Sequence, residues 1–139
     1  IVMRKSDPLT EYIRTGIEVD AVVTNQLLIN IFEHNTPLHD GAVIIEGDRV
    51  VSATCYLPLS DNMELSKELG TRHRAGVGIS EATDSLTIIV SEETGRVSVA
   101  QGGTLTRNVD QDTLRDQLSK LQNKTVIEKK SVIKGRKAK

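Results

Sequence analysis

Apolar runs that read as strands alternate along this chain with spaced apolar positions that read as helices. Leu27, Leu28, Ile31 and Phe32 recur at helical spacing behind Thr24, a good N-cap residue. Residues 24–33 are therefore expected to form a helix, ended by the loop Asn35-Thr36-Pro37. Ala42-Val43-Ile44-Ile45-Glu46 and the run from Arg49 to Tyr56 flank the dipeptide Gly47-Asp48. Two β-rich runs around a Gly-first dipeptide predict a hairpin closed by a type II′ turn. Leu86-Thr87-Ile88-Ile89-Val90 and Arg96-Val97-Ser98-Val99-Ala100 make a second strand pair, and Gln101-Gly102-Gly103 turns the chain into Thr104-Leu105-Thr106. Between the two groups the pattern predicts a helix over 71–82, although Gly76 and Gly78 each weaken it by about 1 kcal/mol relative to Ala. A last helix is expected from Asp110 as cap, with Leu114, Leu118 and Leu121 on one stripe. The fold class is thus α/β, in an α+β-like form: a central mixed, largely antiparallel β-sheet flanked by helices in a single domain.

Composition narrows the functions open to such a fold. At 139 residues the chain suits one domain that buries about two thirds of its unfolded surface. Tyr12, Phe32 and Tyr56 are the only aromatics and there is no Trp, so the core is aliphatic and a base-stacking platform for single-stranded nucleic acid is not expected. Residues 124–139 carry seven basic side chains and one acidic, net +6, which leaves residues 1–123 at −7. An acidic body offers no broad phosphate-neutralising face, and nucleic acid is excluded as a partner. The basic stretch over 124–139 reads as a solvated C-terminal tail behind a catalytic domain spanning 1–123. Cys55 is the only cysteine and stands in an apolar, β-branched run, so it reads as a core residue. No run is long and apolar enough to span a bilayer. The chain opens on Ile1-Val2-Met3, which reads as the end of a strand, and it is expected to be a soluble piece of a longer protein.

Two short motifs carry the candidate chemistry. In Leu38-His39-Asp40-Gly41-Ala42, Asp40 stands where a loop enters a strand, so its carboxylate is firmly held yet accessible. Such a group can bind a divalent cation and accept a proton from a hydroxyl. His39 adds a nitrogen donor, and the pair suits Mn²⁺ or Co²⁺ better than Mg²⁺, provided the segment keeps a loop conformation. Asp-Gly is also an ordinary turn dipeptide, and on local sequence alone that plainer reading comes first. In Gly70-Thr71-Arg72-His73-Arg74, two guanidinium forks at a helix N-terminus suit the oxygens of a triphosphate. The plainer reading there is a basic turn paired with Glu64 or Glu68. Ser91, Glu92 and Glu93 end an apolar strand, where acidic residues are commonly just solvated. Neither a dinucleotide-binding glycine pattern, nor a Walker loop, nor a nucleophile–base pattern is present.

The stretch Asn35-Thr36-Pro37-Leu38-His39-Asp40-Gly41-Ala42 and the stretch Gly70-Thr71-Arg72-His73-Arg74-Ala75 closely resemble the DGA and RHR motifs of diadenylate cyclases. Cys55-Tyr56-Leu57-Pro58-Leu59-Ser60 and Val90-Ser91-Glu92-Glu93-Thr94-Gly95 are similar to the same family, and the likeness, from about residue 9 to residue 107, is to its membrane-anchored CdaA type. The resemblance implies condensation of two ATP into cyclic di-AMP with release of two pyrophosphates, at a face-to-face homodimer in which each protomer holds one ATP. It implies that Asp40 activates the 3′-hydroxyl and binds a divalent metal (Mn²⁺, Mg²⁺ or Co²⁺), with His39 as a second ligand. Gly41 and Ala42 would lie against the nucleotide, Tyr56 and Leu57 would border the adenine, and Gly70, Thr71, Arg72, His73 and Arg74 would hold the phosphates. Ser91, Glu92 and Glu93 would close the phosphate and metal side. Asp40, Arg72 and Arg74 are the expected catalytic residues. The full-length protein would sit at the cytoplasmic face of the cell membrane, through segments absent from this chain. The type's opening strand would be truncated here, which bears on the sheet edge and the quaternary arrangement. The alternative is a sensor of the same fold that binds ATP or cyclic di-AMP without turnover.

Overall fold

The computed structural model describes residues 1–121, so the basic stretch over 124–139 lies outside the described residues. The chain divides into two compact units, residues 1–108 and residues from 109 onward. In the first, β1 (Val2–Met3), α1 (Thr10–Ile13), β2 (Ile17–Val22), α2 (Asn25–Ile31), β3 (Ala42–Glu46), β4 (Arg49–Cys55), α3 (Thr71–Ala82), β5 (Leu86–Val90), β6 (Val97–Gln101) and β7 (Thr104–Thr106) follow in order. The strands make one sheet in the order β2-β4-β3-β1-β5-β6-β7. Only the β1–β3 pair is parallel; every other neighbouring pair is antiparallel. The mixed, largely antiparallel sheet expected from the periodicity is the one observed.

β1 is not at an edge. It pairs with β3 through Val2–Ile44 and with β5 through Val2–Thr87, and so bridges two meanders, β2-β4-β3 and β5-β6-β7. The opening residues thus occupy the middle of the sheet. β2 forms an edge instead, with its ladder to β4 interrupted by a bulge where Asp20 takes φ +47.

β3 is buried along nearly its whole length because helices cover both faces. On one face Ala42 and Ile44 pack with Val2, Leu9, Cys55 and Ile79, the last from α3. On the other, Val43 and Ile45 pack with Ile31 of α2, Val50 and Ala53. Thr24 caps α2, its hydroxyl accepting from the Leu27 amide at 3.0 Å. Gly47 alone of the β3–β4 turn pair has positive φ, +60, as a type II′ turn requires. α3 covers the expected residues, but its glycines have a role that propensity did not suggest. A Cβ on Gly78 would stand 1.8 Å from the Pro58 carbonyl oxygen, and one on Gly76 would stand 2.6 Å from Ile89 Cδ1. The helix lies this close to its neighbours only because both positions lack side chains.

The second unit contains a helix over 111–121. Asp110 caps it as expected, accepting from the Thr113 amide at 2.7 Å. Among the described residues no helix is long and apolar enough to cross a membrane.

Candidate active site

Topology brings the motif residues to one edge of the sheet. β3 begins at that edge, β4 ends there, and β5, antiparallel to β1 and hence to β3, also ends there. Ala42 pairs with Cys55, so Asp40 and Gly41, just ahead of β3, lie beside Tyr56 and Leu57, just after β4. β3 and β5 flank β1, so two strand spacings, about 10 Å, separate their ends. A strap over residues 56–70 then carries the chain from β4 to α3.

The Asp40 end is shaped by unusual backbone. Gly41 has φ +79, and a Cβ there would fall 2.9 Å from Thr54 Cα. Thr54 itself has φ +54, at an irregularity of the β3–β4 ladder. Such bulges turn side chains out of the ladder's alternation and recur beside active sites. Asp40 is exposed; its Oδ1 accepts from the Gly41 amide at 3.0 Å and Oδ2 is left for other partners. The segment ahead of it is a loop, which meets the condition for His39 and Asp40 to act jointly. His39 Nδ1 lies 2.7 Å from the Thr36 carbonyl oxygen. A carbonyl only accepts, so Nδ1 donates in this contact and Nε2 is the nitrogen left to offer a lone pair to a metal. This is the arrangement of a metal-binding histidine oriented by a backbone carbonyl. His34, which has no partner evident in sequence, sets its ring 5.8 Å from that of His39 in an edge-to-face contact.

The residues therefore fit a divalent cation, as one carboxylate and one imidazole. Among the described residues no group of three His, Cys, Asp or Glu side chains is placed to hold a metal. Any such ion here takes its remaining ligands from elsewhere, as Mg²⁺ commonly does from substrate phosphates.

The phosphate-side motif is tied to β5 and to the strap. Arg72 Nη1 donates to the Val90 carbonyl at 2.9 Å, and its Nη2 lies 3.6 Å from Glu92 Oε2. Arg74 Nη1 instead reaches the Ser60 and Asn62 carbonyls, at 3.4 Å each, and its own carbonyl accepts from the Ser60 amide at 2.9 Å. The two guanidiniums thus part company, because residues two apart on a helix differ by about 200°. Neither pairs with Glu64 or Glu68; Glu68 pairs with Arg107 at 2.7 Å. Gly70 is the N-cap of α3 and supplies no side-chain cap, so the first amides of the helix stay open to an anion at the positive end of its dipole. Thr71 is exposed there. His73 is buried; burial first, then the charges of Arg107 and Arg72, holds its pKa below the ordinary histidine value. Ser91 Oγ accepts from the Glu93 and Thr94 amides at 3.3 Å each, which fixes the turn carrying Glu92 and Glu93.

The edge is an open one. Tyr56 is 78% exposed, and Leu59 and Met63 of the strap are exposed as well. Leu57, by contrast, packs against the core cluster of Val2 and Ile79.

The chain matches the family model DAC, described as DisA bacterial checkpoint controller nucleotide-binding, over residues 1–105. It is 58% identical over 120 residues to the diadenylate cyclase of Listeria monocytogenes serotype 1/2a (strain 10403S), covering 86% of this chain and 44% of that protein. To the cyclic di-AMP synthase CdaA of Bacillus subtilis (strain 168) it is 57% identical over 118 residues, covering 85% and 43%. The chain thus spans less than half the length of these two curated relatives. The crystal structure of DacA from Staphylococcus aureus, an N166C/T172C double mutant, superposes with a TM-score of 0.84 at 49% identity, over 86% of this chain and 80% of that one. A hypothetical membrane spanning protein from Bacillus cereus superposes at 0.75 with 45% identity, over 78% and 53%. With a family model matched over most of its length and close relatives on the same fold, this chain belongs to the DAC, or diadenylate cyclase, family.

Proposed function

We propose that the protein is a diadenylate cyclase that condenses two ATP into cyclic di-AMP and two pyrophosphates. The observation that carries this reading is the convergence, on one sheet edge, of an exposed carboxylate at β3 with a guanidinium and an uncapped helix N-terminus at β5 and α3. The names of the relatives, diadenylate cyclase and cyclic di-AMP synthase, point the same way. Phosphoryl transfer needs positioning and charge neutralisation more than covalent help, and this edge supplies both.

In the proposed reaction Asp40 takes the proton of the ATP 3′-hydroxyl. The 3′-oxygen then bonds to the α-phosphorus of the second ATP, the bond from that phosphorus to the bridging oxygen breaks, and pyrophosphate leaves with its electron pair. A second transfer of the same kind closes the ring. Arg72 and the first amides of α3, from Thr71 to His73, neutralise the phosphates, and Arg74 anchors the strap while its free N–H groups remain available to them. Tyr56 and Leu57 border the base, with Gly41 and Ala42 against the nucleotide. A divalent cation held by Asp40 and His39, with Glu92 and Glu93 near the phosphates, would supply Lewis-acid stabilisation of the developing charge.

One protomer supplies one such edge, so the reaction requires two protomers face to face. The exposed Tyr56, Leu59 and Met63 suit such an encounter. The full-length protein is placed at the cytoplasmic face of the membrane by segments outside this chain, a reading supported by the description of the Bacillus cereus relative. The catalytic domain is taken as residues 1–123 and the tail as residues 124–139.

The test is incubation with ATP and Mn²⁺ over a wide range of protein concentrations, with cyclic di-AMP resolved by anion exchange. Product is expected to rise steeply with concentration and to vanish in Asp40→Asn. Binding of ATP without product under every metal and concentration would establish the sensor instead.

A further inference from the structure

Arg107 has no part in the reaction just described, yet it stands on the same edge. β7 is antiparallel to β6, with Thr106 opposite Val99, so the chain leaving β7 heads for the edge where Val90 ends β5 opposite Val97. There the Arg107 Nη2 meets Glu68 Oε1 at 2.7 Å. Glu68 stands in the strap two residues before Gly70, the N-cap of α3. Leu105 of β7 and Leu65 of the strap pack on the cluster of Val77, Ile89 and Ala100, which fixes both partners' backbones against α3.

An ion pair with side chains 43% and 66% exposed contributes little to stability, so folding alone gives it a weak rationale. Its location gives it a stronger one. Along the edge the order runs from Tyr56 at β4, through Asp40 at β3, to Arg72 at β5 and Arg107 at β7. A nucleotide with its base near Tyr56 and its first phosphates near Arg72 directs its outer phosphates toward β7. Burial first, then the charges of Arg107 and Arg72, hold the His73 pKa below its ordinary value, so both guanidiniums act on the first turn of α3.

We propose that Arg107 is a further phosphate-binding residue, which takes the β- and γ-phosphates of the nucleotide in competition with Glu68. This rests on the nucleotide-binding reading above and adds to it a source of discrimination between triphosphate and monophosphate. A bidentate guanidinium–phosphate contact is stronger than an exposed guanidinium–carboxylate pair, so phosphate wins the exchange. No covalent step is involved.

The test is titration calorimetry on the whole chain with 3′-deoxy-ATP and 3′-deoxy-AMP, which lack the attacking hydroxyl and cannot be condensed. Arg107→Gln is expected to weaken 3′-deoxy-ATP about tenfold, the scale of one charged hydrogen bond, and to leave 3′-deoxy-AMP unchanged. Glu68→Gln is expected to tighten 3′-deoxy-ATP, because it removes the competitor. The opposite signs are what a merely structural clasp cannot produce. The inference is overturned if both variants weaken 3′-deoxy-ATP, if neither alters it, or if Arg107→Gln weakens the monophosphate equally. If the unaltered chain fails to bind 3′-deoxy-ATP, the nucleotide-binding reading itself falls, and this one with it.

Discussion

Replacing Gly78 by Ala separates two accounts of α3 that differ in sign. On helix propensity alone the change stabilises by about 1 kcal/mol, since Gly is the poorer residue in a helix interior. In the structure the new Cβ would stand 1.8 Å from the Pro58 carbonyl oxygen, 2.7 Å from its carbon and 3.0 Å from the Ser60 nitrogen. Cβ contacts essentially never fall under 3.0 Å, so helix or strap must move by more than 1 Å (3.0 − 1.8). The clashing atoms are backbone in a strap pinned at Ser60 by Arg74, so relief by rotamer change is closed. Overpacking costs about 1–3 kcal/mol and sometimes more, and a backbone clash belongs at the upper end. The net loss is then about 2 kcal/mol. At about 4 °C per kcal/mol for a domain of this size, the melting temperature should fall by roughly 8 °C. Gly76→Ala meets side-chain atoms rather than backbone, Cδ1 and Cγ1 of Ile89 at 2.6 Å and Cγ2 of Thr87 at 3.4 Å, and should lose much less. Thermal unfolding followed by circular dichroism decides the matter. A Gly78→Ala protein that melts at or above the unaltered one would refute the claim that the strap is a rigid seat for the helix.

Two further predictions concern charge. His73 has a pKa below the unfolded value of 6.5, so the folded chain binds fewer protons than the unfolded one in weak acid. Stability should therefore decline as pH falls through about 6.5, and His73→Gln should remove that part of the urea-midpoint profile. Asp84 faces opposing influences: burial raises its pKa, but hydrogen bonds from the Asp7 and Ser6 amides, both 3.0 Å, outweigh it and lower the value. Its contribution is present above its ordinary value of 3.8 and lost as pH falls through the lower folded value. Asp84→Ala should cost about 1 kcal/mol at neutral pH, as loss of a capping carboxylate does, read by urea unfolding.

Local chemistry was legible where it was decided locally. Thr24 caps α2, Gly47 turns the hairpin, and the bounds of α3 follow from the apolar pattern, because each rests on neighbours a few residues away. β2 escaped notice although Ile17, Val19 and Ala21 alternate with Glu18 and Asp20 as a strand requires; the run is short, and an edge strand with a bulge buries neither face fully. The position of β1 was equally hidden, for two residues cannot announce partners forty and eighty residues away. At the site, Asp40 and Arg72 stood out through their motifs. Arg74 was read with Arg72 because they are close in sequence, whereas a helix sends them apart. Arg107 belongs to no motif, and only the pairing of β7 with β6 brings it to this edge.

The sheet's central seam has one more implication. The Asp40 side belongs to the meander ending in β3 and the Arg72 side to the meander beginning at β5; β1 alone among the strands joins them. The gap between carboxylate and guanidinium is therefore ruled by main-chain hydrogen bonds, whose spacing no side-chain substitution in the core can tune. Changes in sequence can alter what stands at either end of that ruler while its length stays fixed. For the nucleotide of the proposed reaction, the span from ribose to phosphate is the dimension that this ruler would have to match.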